Sequence, residues 1–84
     1  MRQPVQELIE RYQKNLYAAA FNICKNQMDA EDAVQETFVQ YYTSRKEFEN
    51  EQHIRAWLLR VVINKAKNIN RTFWKKNKCS LEDY

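Results

Sequence analysis

No glycine occurs in this chain, and its single proline is the fourth residue. Tight turns draw on both residue types, so few sharp reversals are available and helices are favoured throughout. The strongest helical pattern is residues 54–76, IRAWLLRVVINKAKNINRTFWKK. At about 100° per residue, Leu58, Leu59, Val62, Ala66, Ile69 and Phe73 fall on one stripe. Arg60, Asn64, Lys67, Asn68, Arg71 and Lys75 fall on the opposite stripe. The helix is therefore amphipathic, with an apolar back and a front of cations and carboxamides but no carboxylate. Lys and Arg hold phosphates, and Asn can pair with base edges, so this front suits nucleic acid. An ordinary solvated face carries mixed charge.

Two shorter patterns precede it. Val5, Leu8, Ile9, Tyr12, Leu16, Ala19, Ala20 and Ile23 repeat at three- and four-residue steps. They predict a helix over about 5–26, with Tyr17, Phe21 and Cys24 widening its buried edge and contacts to both other helices. Residues 26–28 read as a short connector. A second helix is expected over about 29–45, with Asp29 as N-cap and Glu31 and Asp32 in the first turn, where the positive helix end favours them. Its inward stripe is Ala30, Ala33, Val34, Thr37, Phe38 and Tyr41, leaving Asp32, Gln35, Glu36 and Gln40 pointing elsewhere. Capping explains Asp29 and Glu31. It does not explain Glu36, two turns in.

Residues 47–53, EFENEQH, form a polar connector around one large apolar residue, Phe48. A lone Phe in a short loop is most often an anchor to the core, although here it could also help frame a pocket for a displaced base. His53 reads as a cap or surface residue. Trp57 lies on the border between the stripes, where it can pack inward or stack on a base. Residues 77–84 read as the start of a linker.

The fold class is all-α: a compact bundle of three main helices with room for a short extra turn before the last. Eighty-four residues make one domain, placed at 1–76. The net charge of +3 conceals an asymmetry. Residues 1–53 carry six Lys/Arg against nine Asp/Glu, or −3, and residues 54–84 carry eight against two, or +6. Two partner surfaces follow. No apolar run reaches the ~18 residues of a membrane span, and no signal peptide is visible, so the expected location is the cytoplasm. Cys24 and Cys79 are then reduced thiols, too few with His53 for zinc. No nucleophile–base pair, phosphate loop or metal spacing can be placed, so neither enzyme activity nor a cofactor is expected.

These motifs resemble region 2 of the extracytoplasmic-function (ECF) sigma factors of the sigma-70 family, over residues 5–76. DAEDAVQETF at 29–38 resembles the family's core-polymerase-binding helix, usually D-A-E-D-L-V-Q-E-T-F, with one difference at Ala33. AWLLRVVINKAKN at 56–68 resembles the helix that opens and reads the promoter −10 element. Residues 8–23 are similar, more loosely, to the first helix. The resemblance implies a helical bundle that binds core RNA polymerase and helps melt the −10 element. Asp32, Gln35 and Glu36 would meet the clamp helices of the polymerase β′ subunit, which gives Glu36 a role. Phe48 and its loop would cradle a base flipped from the non-template strand, and Trp57 would brace that pocket or lie near the opened duplex. Asn64 would contact −10 bases, with Asn68 one turn on, and Arg60, Lys67, Arg71 and Lys75 would hold phosphates. The loop EFENEQH departs from members carrying Gly, Pro and a Phe at the place of Ile54, and Asn68 stands where many have Asp. The family's second, −35-reading domain has no counterpart here, so a domain or fragment of a longer protein is expected. Two other readings remain: a stand-alone helical DNA- or RNA-binding module, and a protein-interaction domain held by an anti-sigma factor.

Overall fold

A computed structural model describes the backbone of residues 3–81 and the side chains of residues 3–69. The first helix, α1, is Val5–Cys24. Pro4 opens it with φ −59° and ψ 138°, and its carbonyl accepts from the N–H groups of Glu7 and Leu8 at 3.1 and 3.3 Å. Proline offers no capping side chain. Instead, the chain entry is held by a tertiary contact: the Tyr41 hydroxyl donates to the Gln3 carbonyl (2.8 Å) and accepts from the Gln3 N–H (2.9 Å).

The helix ends where Lys25 turns left-handed (φ 55°, ψ 29°) and donates its N–H to the Phe21 carbonyl at 2.8 Å. Glycine usually fills that position, and a chain without glycine must use a residue with a Cβ, at a cost of about 1 kcal/mol. Asn26 is next, extended, and already caps the second helix. Its side chain accepts from the Asp29 N–H at 3.0 Å. The expected cap at Asp29 is therefore corrected. Asn26 takes the position three residues earlier, and residues 27–28 form the first turn rather than a connector. Asp29 stays in that turn, where its charge suits the helix dipole.

Helix α2 is Gln27–Thr43, and all six inward residues expected from its spacing are buried. Thr37 is the buried polar member; its hydroxyl donates to the Ala33 carbonyl at 2.8 Å. The helix stops at Ser44, whose extended backbone (ψ 147°) cannot continue it. Residues 44–50 then cross to the third helix. Asn50 caps that helix by accepting from the His53 N–H on its side chain (2.9 Å) and on its carbonyl (3.1 Å).

Helix α3 is therefore Glu51–Leu81, not 54–76. Its start absorbs the end of the expected loop, and its backbone runs on through the first residues of the expected linker. At 1.5 Å per residue it is roughly 46 Å long. Each helix packs on both others. The core holds Leu8, Leu16 and Ala20 from α1, Val34, Phe38 and Tyr41 from α2, and Ile54, Leu58, Val62 and Ala66 from α3. The buried alanines 20, 30, 33 and 66 let the helix backbones approach closely. No described buried side-chain N or O atom lacks a hydrogen-bond partner. None of the described helices is long and apolar enough to cross a membrane.

Candidate partner-binding and nucleic-acid faces

The connector that joins α2 to α3 is fixed by aromatic packing. Phe48 is 2% exposed and stacks on Tyr41 with centroids 5.8 Å apart. Trp57 meets Phe48 edge-on at 5.6 Å and Tyr41 at 6.1 Å. His53 also meets Phe48 edge-on at 5.2 Å, and its Nδ1 accepts from the Glu49 N–H at 3.2 Å. Aromatic pairs of this kind add about 0.5–1.5 kcal/mol each beyond burial. Phe48 is thus the core anchor that a lone Phe suggested, while Trp57 stays half-buried on the border, as its place between the stripes implied.

A polar contact locks the same junction. Glu51, in the first turn of α3, pairs with Arg11 and accepts from the Tyr12 hydroxyl at 2.7 Å. Those hydrogen bonds, Tyr12's first, hold the Glu51 carboxyl below its ordinary range, and the charge of Arg11 adds to them. Gln3 contributes a longer amide contact to Glu51 at 3.5 Å. Helices α1 and α3 are thereby tied beside the connector.

On this frame the expected residues separate cleanly. Asp32, Gln35 and Glu36 are exposed on the outer face of α2. Arg60, Asn64, Lys67 and Asn68 are exposed on α3, opposite the buried Leu58, Val62 and Ala66. Arg71 and Lys75 lie outside the described side chains. The two faces meet along one edge, where Lys65 Nζ stands 3.7 Å from Glu36 Oε1. An open recess of about 340 Å³ lies over that pair. A larger groove of about 500 Å³ runs between α1 and α2, with Gln35 on its rim and Tyr17 and Val34 in its wall.

Sequence spacing missed part of the α2 face. Val39 is 60% exposed and Tyr42 is 72% exposed, continuing the stripe of Asp32, Gln35 and Glu36 by helical steps. Extending that stripe by three and four residues would have found them. The face is thus acidic in its first half and apolar in its second. An exposed Tyr among polar residues is the composition of an interface anchor. Cys24, the described cysteine, is no part of either face. Its half-buried thiol is directed to the Ala66 carbonyl at 3.7 Å, and burial, with the nearby Asp29 charge, raises it toward the inert protonated form.

The sequence matches the family described as Sigma-70 region 2 over residues 8–78. It is 38% identical over 61 residues to an ECF RNA polymerase sigma-E factor of Haemophilus influenzae, covering 73% of this chain and 32% of that one. It is 32% identical over 65 residues to the RNA polymerase sigma factor CnrH of Cupriavidus metallidurans (77% and 34% covered). The RNA polymerase sigma factor NccH of Alcaligenes xylosoxydans xylosoxydans is 29% identical over 65 residues (77% and 35% covered). No solved structure gives a significant match. The chain belongs to the sigma-70 family as a region 2 domain of the ECF type. It spans about a third of the length of the curated relatives it matches.

Proposed function

We propose that this domain binds core RNA polymerase through α2 and recognises and helps melt the promoter −10 element through α3, as part of a sigma factor acting in the cytoplasm. The observation that carries the reading is the segregation of two exposed faces. Asp32, Gln35 and Glu36 stand on one helix with Val39 and Tyr42, and Arg60, Asn64, Lys67 and Asn68 stand on the next. The α2 face suits a cationic partner with apolar residues to cover Val39 and Tyr42. The clamp helices of the polymerase β′ subunit are the partner the family membership suggests.

The α3 face works on an opened strand. Lys67 and Arg60 hold phosphates, and Asn64, with Asn68 one turn on, reads base edges. Phe48 is buried, so it forms the floor that positions Trp57 and the connector and does not itself touch a base. A captured base contributes about 1–3 kcal/mol of stacking, and opening a duplex step costs about 1.4 kcal/mol. One or two captured bases therefore offset local opening once polymerase supplies position.

The test is co-purification with core polymerase. Glu36→Lys should abolish it while the circular dichroism of the fold is unchanged, and Asn64→Ala should keep it but lose discrimination for the −10 sequence by about 1–3 kcal/mol. Retention of polymerase by Glu36→Lys overturns the reading. A wild-type chain that binds DNA without polymerase favours a stand-alone module, and one that captures only an anti-sigma factor favours a sequestered interaction domain.

A further inference from the structure

Lys65 belongs to α3, one turn before Asn68, so its stem lies beside the amide and cation face. Its ammonium is nevertheless committed elsewhere, 3.7 Å from Glu36 on α2. Both side chains reach water, at 31% and 48% exposure, so the pair can exchange partners. The recess over it, walled by Gln35, Val39, Gln40 and Thr43, leaves room for an incoming side chain. An arginine there would engage a carboxylate with two parallel hydrogen bonds, which a lysine point charge cannot match.

We infer that Lys65 is a further phosphate-binding residue whose availability is set by Glu36. In the free chain the carboxylate holds the ammonium. A cationic side chain from a protein seated on α2 replaces it there, and the flexible lysine stem turns to the DNA strand on α3. The inference rests on the proposal that α2 meets polymerase and α3 meets DNA. It adds that the two events are coupled through one ion pair.

The experiment is a double-mutant cycle of wild type, Glu36→Gln, Lys65→Gln and the double variant, each checked for folding by circular dichroism. Binding of a fluorescein-labelled single-stranded oligonucleotide is followed by anisotropy across a salt series. An exposed pair has a strength that predicts tighter binding by Glu36→Gln of about two- to five-fold. One phosphate gained steepens the salt slope by about 0.7. Both gains must vanish when Lys65 is also replaced. A Glu36→Gln gain that persists without Lys65 is a general charge effect and overturns the inference, as does no gain at all.

A second arm uses wild type and Lys65→Gln with core RNA polymerase and the same oligonucleotide. Lys65→Gln must cost more affinity with polymerase present than in the isolated chain; equal costs overturn the coupling. If wild type fails to bind polymerase, the proposed function falls and takes the inference with it. If polymerase binds but the cycle is additive, the inference alone falls.

Discussion

Tyr41 illustrates how one side chain can serve two layers of the structure. Its ring is 1% exposed and stacks on Phe48, while its hydroxyl both accepts from and donates to the backbone of Gln3. The ring was legible as core from three- and four-residue spacing. The hydroxyl's partner was not, because it lies 38 residues away in a segment with no pattern of its own. The two roles can be separated. Tyr41→Phe keeps the ring and removes two hydrogen bonds, each with a net contribution of about 0.5–1.5 kcal/mol. Water can reach the half-buried Gln3, so the expected loss is about 1–2 kcal/mol. For a domain of this size that lowers Tm by roughly 4–15 °C. Thermal denaturation checks it, and an unchanged Tm would remove Tyr41's hydroxyl from the account of how α1 is anchored.

At the scale of elements, three helices and their inward faces could be read from the sequence, and their ends could not. Periodicity is a property of many residues and survives local ambiguity. A cap is one residue, and this chain places competent capping side chains close together: Asn26 and Asp29 on either side of the start of α2, and Asn50 three residues before His53 at the start of α3. Asp29 and Asn26 are equivalent by propensity, and only the backbone geometry chooses between them. The choice is measurable. Asn26→Ala removes the acceptor of the Asp29 N–H and should cost about 0.5–2 kcal/mol. Asp29→Ala loses only a favourable charge in the first turn, about 0.3–1 kcal/mol. Urea denaturation of both variants ranks them; a larger loss for Asp29→Ala would restore the cap to the position the sequence first suggested. Ile54 shows the same effect from inside the core. It is fully buried, yet it fell at the expected start of α3, where its side chain had no turn before it to complete a stripe.

For the whole molecule, the candidate site was legible wherever polar residues interrupt an apolar rhythm, as Glu36 and Asn64 do. It was less legible where an exposed residue looks like core. Val39 and Tyr42 each follow a buried aromatic residue and resemble core by type; the helical steps from Gln35 and Glu36 are the sequence signal that turns them outward. Lys65 was hidden for another reason: its partner is on a different helix. Cross-helix polar contacts also set how the assembled bundle responds to acid. Glu51 ties α3 to α1, facing Tyr12 and Arg11 with the Gln3 amide beside them. Hydrogen bonds from Tyr12 and then Arg11 lower its folded pKa below the ordinary 4.5. In the window between those values the unfolded chain binds more protons than the folded one, so stability rises with pH there. The contribution is fully present above 4.5 and is lost as pH falls through that value to the lowered one. Glu51→Gln cannot ionise. It should be less stable than wild type at neutral pH, with the gap closing as the solution is acidified. Melting temperatures of both proteins from neutral to acid pH provide the check. Curves that stay parallel would mean that Glu51 contributes no proton linkage to the junction of α1 and α3.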